Sequence, residues 1–459
     1  MMAGRERRDD AIEPRLTTLD ATMVVVSLVI GIGIFRTPAV VATAAGGPLL
    51  FLAAWLLGGV VSGLGALTFA EIGSRFPRPG AYYGVVAECY HPGLAFALNW
   101  AGLLMQGAGA AGVAIIGAEH LVPLFGAHSK GGEGTSVAVQ MVAVALMTLL
   151  LGINYLGVKP GSRAQNLLTA LKVSMMVILG VAALWVGRAS PAPEAAPAGA
   201  APVGASGGLA AALVAVFYTF GGYQNTINLG GDVRDARRGL PGAILLGMVI
   251  VVVVYLGINV AYLKCLGFEA MARAPLVAAE VARVCFGPAG RVVISLAIFL
   301  SAAGFVNATI MQVPRAYYAM AEDGGLPSIF LRVNRRTQVQ EAGLIFLGAT
   351  MLVPAFFLGS FEKLLSYVMF TDALSLAVVA STVFALRARA RRDLGPVLEA
   401  GPFSFPMASV PSALFIICLL GVAARVLLVE TRLALAGIGV MLAGYVIFLL
   451  MPRAPSRGT

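Results

Sequence analysis

The stretch Gly31-Ile32-Gly33-Ile34-Phe35 interrupts an apolar run, from about residue 19 to residue 45, that is otherwise long enough to cross a bilayer as one helix. Two glycines at a spacing of two, with Pro38 close behind, are poorly suited to the interior of a helix. In hydrocarbon, an unwound segment leaves N–H and C=O groups unsatisfied unless protein or a polar ligand covers them. We therefore predict a helix break here and interpret it as a ligand site.

The same feature recurs about 190 residues later, where Tyr218-Thr219-Phe220-Gly221-Gly222-Tyr223-Gln224-Asn225 interrupts another apolar run. Two broken helices at corresponding positions of two halves are typical of transporters, in which the breaks form the substrate site. A half-helix N-terminus offers free N–H groups that suit a carboxylate, and a half-helix C-terminus offers carbonyls that suit an ammonium. Two facing breaks are therefore predicted to hold a small zwitterion such as an α-amino acid.

The composition indicates a polytopic membrane protein. Hydrophobic residues make up 59% of the chain, charged residues only 12%, and the mean hydropathy is +0.88. The net charge of +10 does not indicate nucleic acid binding, because the basic residues lie in short joints between apolar runs. An excess of Arg over Lys, 27 to 5, is typical of a GC-rich bacterial genome, so we expect a bacterial cytoplasmic (inner) membrane.

Twelve apolar runs are predicted as membrane spans. They cover 19–45, 48–73, 92–122, 135–156, 164–187, 208–235, 240–265, 288–318, 341–359, 362–387, 408–429 and 431–452. An even number of spans puts both termini on one side of the membrane. The joints on that side hold 21 basic residues against nine on the other, so both termini are predicted to be cytoplasmic.

We predict an all-α membrane protein built from two inverted repeats, because five spans in each half insert the halves in opposite orientation. The boundaries are a cytoplasmic tail at 1–18, a first repeat at 19–187, an external linker rich in Pro, Ala and Gly at 188–207, a second repeat at 208–392, spans eleven and twelve at 393–452, and a cytoplasmic tail at 453–459. We expect a self-contained carrier that functions as a monomer.

Six short motifs follow one another in a specific order. They are Gly31-Ile32-Gly33-Ile34-Phe35, Ala70-Glu71-Ile72-Gly73, Phe76-Pro77-Arg78-Pro79-Gly80-Ala81-Tyr82, Phe220-Gly221-Gly222, Pro314-Arg315-Ala316-Tyr317 and Met320-Ala321-Glu322-Asp323-Gly324-Gly325-Leu326-Pro327. This set, over roughly residues 17 to 390, resembles the amino acid-polyamine-organocation (APC) superfamily, closest to its bacterial L-type amino-acid-transporter-like members. The resemblance implies the leucine-transporter fold, with ten core helices, two peripheral helices and alternating access around a site near the bilayer midplane.

In the relatives, the substrate carboxylate meets N–H groups of the broken first helix, and the amino group meets carbonyls of the first and sixth helices. The resemblance and the two breaks together give the predicted substrate-binding residues. They are Ile30, Gly31, Ile32, Gly33, Ile34, Tyr218, Thr219, Phe220, Gly221 and Gly222. For the glycines, the alternative is close packing between helices. Tyr218 matches the aromatic gate of the relatives, most of which carry Phe there, and its alternative role is core packing.

Lys172 lies in the middle of the fifth predicted span, where its charge is costly in lipid and should face protein or water. In sodium-independent relatives, a lysine in the fifth helix reaches the first-helix break, in the place of a bound cation. We therefore predict that Lys172 bonds carbonyls near Gly31 as a coupling and gating residue, which disfavours sodium coupling. The alternative is that its side chain snorkels to the cytoplasmic edge.

Two further groups of residues have alternatives. Arg36 is predicted to pair with Glu119 or Asp372, or else to face the external vestibule, where it disfavours cations. The four cysteines are scattered without metal-ligand spacing, so buried packing is favoured for each. Cys265 and Cys285 bracket one external segment, and a disulfide between them is the less favoured alternative.

No catalytic residue, metal site or cofactor is predicted, because three His and dispersed carboxylates form no nucleophile–base or zinc pattern. A channel is disfavoured because nothing resembles a selectivity filter. The leading prediction is a carrier of neutral amino acids that works by sodium-independent exchange or proton-linked uptake. The alternative, a cationic amino acid or polyamine antiporter, calls for acidic residues at the site.

Overall fold

The computed structural model describes residues 12–126, 130–131, 134–187, 208–357, 361–394, 403, 409–429 and 431–451. The helices are α1 (Thr18–Val29), α2 (Gly33–Ala45), α3 (Pro48–Arg75), α4 (Ala81–Cys89), α5 (Pro92–Asn99), α6 (Gly102–Leu121), α7 (Val137–Tyr155), α8 (Val158–Val186), α9 (Gly208–Thr219), α10 (Ala236–Leu266), α11 (Phe268–Arg273), α12 (Val277–Phe286), α13 (Ala289–Glu322), α14 (Glu341–Phe357), α15 (Phe361–Leu394), α16 (Ser409–Val429) and α17 (Thr431–Leu450). Three 3-10 helices cover Val122–Phe125, Tyr223–Asn228 and Ser328–Leu331. The strands Lys130–Gly131 and Gly134–Thr135 form a small antiparallel pair.

Eight of the described helices are long and apolar enough to cross a membrane, and α1 with α2 can form a ninth, bent span. The eight lie in α3, α6, α7, α8, α10, α13, α15 and α16. Two further apolar stretches are shorter, Glu341–Ala355 in α14 and Ala434–Leu450 in α17. Helix α9 begins where the described chain resumes after residue 207. The twelve-span layout with two inverted repeats therefore stays a prediction, while the all-helical membrane character is confirmed.

Two predicted spans differ from the structure in their interior. The third, 92–122, is divided into α5 and α6 at Trp100 and Ala101. The sixth, 208–235, is broken after Thr219 as predicted, but its second part is a 3-10 helix followed by turns and not an α-helical half. These turns pack closely against the chain after α3, where a Cβ at Gly230 would lie 2.6 Å from the carbonyl oxygen of Arg78. That close approach fits a compact turn better than a continued α-helix.

Helix α13 lies at the centre of the described fold. It packs against α1, α6, α7, α8, α12 and α14, and most of its side chains are buried. The broken helices contact their own set of neighbours: α1 packs on α8 and α10, and α2 packs on α9 and α11. The first break is therefore held between α8, α10 and α13, and side chains from these three helices can cover its backbone groups.

The start of α1 is fixed by a capping box. The Thr17 side chain accepts a hydrogen bond from the backbone N–H of Asp20, and the Asp20 carboxylate accepts one from the backbone N–H of Thr17 at 2.8 Å. Near the C-terminal end of α3, a buried ion pair joins α3 to α15, in which Arg387 donates two hydrogen bonds to Glu71, at 2.8 and 2.6 Å. These contacts define helix positions on the side predicted to be cytoplasmic.

Candidate functional site

The first break consists of Ile30, Gly31 and Ile32, which separate the end of α1 at Val29 from the start of α2 at Gly33. The two helices are bent by 45° relative to each other. Gly31, Ile32 and Gly33 are half-buried, whereas the Ile30 side chain is fully buried. The backbone of the break is therefore reachable, while a neighbouring side chain anchors it in the core.

The second break comprises Phe220, Gly221 and Gly222, after α9 and before the 3-10 helix. The φ angle of Gly222 is +119°, a conformation that residues with a Cβ rarely adopt. A Cβ at Gly222 would also lie only 2.5 Å from the carbonyl oxygen of Leu28 on α1. The structure thus brings the second break directly against the last turn of α1, backbone to backbone.

The helix that follows the first break, α2, is also in contact with the helix that precedes the second break, α9. The hydroxyls of Thr37 on α2 and Thr219 on α9 are hydrogen-bonded at 3.0 Å. A Cβ at Gly33 would lie 3.3 Å from a methyl group of Thr219, so this glycine sets the spacing between α2 and α9. Tyr218 is half-buried, and its ring packs edge-on against Phe217.

All ten predicted substrate-binding residues therefore lie at the two breaks or in the turns next to them. Their side chains differ in accessibility: Ile30, Ile34 and Phe220 are fully buried, so only their backbone groups are available to a ligand. Gly221 and Gly222 are half-buried, like the glycines of the first break. Substrate binding by these residues stays a prediction, and the geometry is compatible with it.

Lys172 on α8 is fully buried and reaches the first break. Its side-chain nitrogen donates hydrogen bonds to the carbonyl of Ile30 at 2.7 Å and to that of Ser27 at 3.1 Å. Snorkelling to the cytoplasmic edge is therefore wrong for this side chain. The hydroxyl of Ser301 on α13 lies 3.1 Å from the carbonyls of both Ile30 and Gly31. Side chains from α8 and α13 therefore form hydrogen bonds with carbonyls that lack a helical partner at the break.

Tyr255 on α10 connects the two breaks. Its hydroxyl lies 3.0 Å from the carbonyl oxygen of Val29 and 3.3 Å from that of Thr219, the last residues of α1 and α9. Since a tyrosine hydroxyl carries one proton, it donates to one of these carbonyls at a time. The ring is buried against Trp55 and Phe220. Sequence analysis missed this residue, because a tyrosine inside a long apolar run has the same pattern as a packing residue.

A row of polar side chains on α8 faces α1. Ser162 and Asn166 donate hydrogen bonds to the carboxylate of Asp20 at 2.6 and 2.7 Å, and the Thr169 hydroxyl lies 3.2 Å from the carbonyl oxygen of Met23. With Lys172, these residues recur every three or four positions, so they share one helix face. That spacing was visible in the sequence. We call this row, Ser162, Asn166, Thr169 and Lys172, the α8 polar row.

A buried ion pair closes the end of the second broken segment. Arg315 on α13 donates hydrogen bonds to both carboxylate oxygens of Asp232, at 2.8 and 3.0 Å, and Asp232 is completely buried. The backbone carbonyl of Asp232 accepts from the N–H groups of Arg15 and Leu16, at 2.7 and 2.8 Å. The chain before α1 is thereby tied to the chain after the second break. Sequence analysis had quoted Arg315 only as part of a motif.

The predicted pairing of Arg36 involves three charged residues on different helices. Arg36 is exposed on α2, and Glu119 and Asp372 are half-buried on α6 and α15. The predicted pairing of Arg36 with one of these carboxylates stays a prediction. Asp372 lies within electrostatic reach of the Tyr218 hydroxyl. An acidic group therefore stands near the second break, where a substrate carrying an extra positive charge could use it.

The geometry thus resembles what a transporter of small zwitterions requires, and comparison with known proteins points the same way. The serine/threonine exchanger SteT of Bacillus subtilis (strain 168) is 30% identical over 327 residues, which cover 70% of this chain and 70% of SteT. The b(0,+)-type amino acid transporter 1 of Oryctolagus cuniculus is 29% identical over 392 residues, covering 80% of this chain and 77% of that protein.

A third similar protein is the vacuolar cationic amino acid transporter 2 of Arabidopsis thaliana, which is 28% identical over 382 residues. The match covers 81% of this chain but only 59% of the plant protein. The sequence profile of one family, described as Amino acid permease, matches residues 16–451, nearly the whole chain. The chain therefore belongs to the amino acid permease family, a family of transmembrane amino acid transporters within the APC superfamily.

Proposed function

We propose that this chain is a secondary active transporter of neutral amino acids, which works by alternating access and without sodium. The proposal rests chiefly on one observation: two helix breaks, centred on Gly31 and Gly221, meet with half-buried backbone groups while their flanking side chains are buried. An α-amino acid carries a carboxylate and an ammonium on one carbon. The N-terminus of α2 suits the first group, and the carbonyls at the C-terminus of α9 suit the second.

The contacts of Lys172 support sodium independence. A sodium ion bound at the first break would need oxygen ligands such as the carbonyls of Ser27 and Ile30 and the hydroxyl of Ser301. Lys172 already donates to both of those carbonyls, and Ser301 lies against Ile30 as well. A built-in cationic side chain thus takes the place that a coupling ion would use. Sodium-independent exchange or proton-linked uptake follows as the proposed mode of transport.

The relatives support exchange in particular, since SteT is described as a serine/threonine exchanger. We place the protein in a bacterial inner membrane with both termini in the cytoplasm, as the charge distribution predicts. The two inverted repeats, 19–187 and 208–392, would move relative to each other around the breaks. We propose that a single chain is the functional unit. We also propose that the residues described above serve transport and not an enzymatic reaction.

The test is uptake of labelled amino acids into proteoliposomes that contain the purified protein. Vesicles are preloaded with one amino acid at a time, and each is assayed with and without a sodium gradient and a pH gradient. We expect uptake that depends on a neutral amino acid inside or on the pH gradient, and that is unaffected by sodium. Dependence on sodium would contradict the assignment of Lys172, and an absence of amino acid uptake under every condition would contradict the proposed function.

A cationic amino acid or polyamine carrier is the second candidate, because Asp372 lies within electrostatic reach of Tyr218 beside the second break. The similarity to a plant cationic amino acid transporter agrees with it. The variant Asp372→Asn separates the two candidates. If the substrate is cationic, this variant should lose uptake of arginine or putrescine by at least about tenfold, the factor that corresponds to about 1.4 kcal/mol of binding free energy. Neutral substrates should be affected far less.

A further inference from the structure

The structure brings together two cysteines that are 20 positions apart in the sequence. Cys265 lies in the last turn of α10 and Cys285 in the last turn of α12, and both thiols are free. Helices α10 and α12 pack against each other, and the two thiols lie close enough to interact electrostatically. Cys265 is fully buried, whereas Cys285 is half-buried and can be reached from solvent. The other two cysteines, Cys89 and Cys418, lie on α4 and α16.

The surroundings of the pair hold it in place. Helices α10 and α12 pack against each other, and α12 is pressed against the start of α13. A Cβ at Gly290 on α13 would lie 2.1 Å from the carbonyl oxygen of Ala282 on α12, so these two backbones are in direct contact. The Cys285 sulfur therefore stays near Cys265 without depending on a flexible loop.

The segment that carries the pair faces water. On α11, Glu269 and Arg273 are paired at 3.4 Å with both side chains at least 80% exposed, and on α12, Glu280 and Arg283 are paired at 3.0 Å and exposed. The opposite end of α10 begins next to the basic residues Arg237 and Arg238, which mark the cytoplasmic side under the proposed orientation. Because α10 crosses the membrane, Cys265 at its other end lies on the external side, where disulfides persist.

From this geometry we propose that Cys265 and Cys285 form a redox-active dithiol site that is oxidised to an intramolecular disulfide outside the cytoplasm. The oxidant is an external protein or small molecule that itself carries a disulfide. The Cys285 thiolate attacks one sulfur of that disulfide and releases the other as a thiol. Cys265, as thiolate, then attacks the Cys285 sulfur of the mixed disulfide and displaces the second thiol. Two electrons and two protons pass from the cysteines to the oxidant, which leaves as a dithiol or as two thiols.

The bond would join the end of α10 to the hairpin of α11 and α12. This hairpin packs on α2, the outer half of the first broken helix. The Thr43 hydroxyl on α2 donates a hydrogen bond to the carbonyl of Ala272 on α11 at 3.0 Å. A disulfide would thereby fix the hairpin of α11 and α12, which covers α2, to the end of α10. The proposal goes beyond amino acid transport and rests on the proposed orientation only for the choice of compartment.

The experiment reads the redox state of each cysteine by mass spectrometry. Membranes that contain the full chain are denatured in the presence of excess N-ethylmaleimide, so that buried free thiols are alkylated as well. The protein is then reduced, and the newly released thiols are alkylated with iodoacetamide. In parallel, purified and fully reduced protein in proteoliposomes is incubated with oxidised glutathione before the same treatment. We expect Cys265 and Cys285 to carry the iodoacetamide label in both samples, and Cys89 and Cys418 to carry N-ethylmaleimide.

Single variants distinguish this pair from other disulfides. In Cys285→Ser, Cys265 should carry only N-ethylmaleimide, and the matched control Cys418→Ser should leave the bond between Cys265 and Cys285 intact. If Cys265 and Cys285 carry N-ethylmaleimide even after oxidised glutathione, the proposed site is wrong. If the bond forms in purified protein but is absent from membranes, the external location is wrong. Neither readout depends on transport, so failure of the proposed function would not be mistaken for failure of this site.

Discussion

The side-chain nitrogen of Lys172 donates a 2.7 Å hydrogen bond to the carbonyl of Ile30, the first residue of the break between α1 and α2. A second bond reaches Ser27, one turn earlier on α1. One side chain of α8 thus holds both the last turn of α1 and the break itself. Because the nitrogen is fully buried, this attachment does not compete with bulk water.

The first prediction concerns the removal of this attachment. Lys172→Met has a side chain of similar length but leaves the carbonyl of Ser27 without this donor and that of Ile30 with Ser301 alone. A carbonyl left unsatisfied costs about 1–3 kcal/mol. We expect exchange in proteoliposomes to fall by at least about tenfold, which corresponds to about 1.4 kcal/mol. The neighbouring Leu171, which is exposed on the outside of α8, provides the control Leu171→Ala. Equal rates for Lys172→Met and wild type would contradict the role given to Lys172.

The second prediction concerns the hydroxyl of Tyr255. Tyr255→Phe preserves the ring contacts with Trp55 and Phe220 but removes the hydrogen bond to Val29 or Thr219, worth about 0.5–1.5 kcal/mol. We expect a change of about two- to tenfold in the apparent KM for the substrate, because the hydroxyl holds both breaks in register.

A second tyrosine on the same helix serves as the matched control. Tyr262 is also fully buried on α10, and within the described residues its hydroxyl has no hydrogen-bond partner. Tyr262→Phe should therefore leave the apparent KM unchanged. If the two variants behaved alike, the effect of Tyr255→Phe would come from the core of α10 and not from the breaks.

Local sequence signals were sufficient to locate the first break. The two glycines and the proline that follow one another within one apolar run have few other structural explanations in a membrane, and α2 indeed begins at Gly33. The contact of Lys172 with the first break was predicted as well, because a buried charge needs partners and the family resemblance indicated where they lie. The α8 polar row was not predicted, although its spacing is a signal that the sequence carries, since polar residues that recur every three or four positions mark one helix face.

Features that depend on contacts between distant segments could not be predicted from the sequence. Tyr255 acts at the breaks only because α10 packs against both α1 and the chain after α9, which no local pattern reveals. The break in the sixth span was predicted, but not that its second part forms a 3-10 helix and turns, which pack at Gly230 against the backbone of Arg78, about 150 residues away. Likewise, the proximity of Cys265 and Cys285 follows from the packing of α12 on α10 and not from their spacing.

The third prediction tests the contact between the two breaks. Gly222→Ala would place a Cβ 2.5 Å from the carbonyl oxygen of Leu28 and would force a positive φ angle on alanine, so the second break must move away from α1. We expect loss of transport together with a lower melting temperature. Gly257→Ala on α10 is the control, because a Cβ there meets no atom within 4 Å and alanine favours the helix by about 1 kcal/mol. A fully active Gly222→Ala protein would contradict the proposed site.

The fourth prediction concerns the α8 polar row. The double variant Ser162→Ala with Asn166→Ala removes both donors to one carboxylate oxygen of Asp20. Because hydrogen bonds to a charged group contribute about 1.5–3 kcal/mol each, α1 should separate from α8 more often. We expect amide hydrogen exchange in the first turns of α1 to become at least about tenfold faster. Leu167→Ala, on the exposed side of α8, is the control, and unchanged exchange in the double variant would show that these bonds do not hold α1.

The last prediction concerns the ion pair between Asp232 and Arg315, whose side chains are 0% and 6% exposed. Removing one partner leaves an unpaired buried charge, so Asp232→Asn and Arg315→Gln should each destabilise the protein by about 3–5 kcal/mol. The double variant removes both charges and should be less destabilised than the two single variants would be if their effects were additive. The measurement is thermal unfolding of the four proteins in one detergent. Additive effects would mean that each side chain stabilises the fold through separate contacts, in which case the link between the second break and α13 would have to be assigned to other residues.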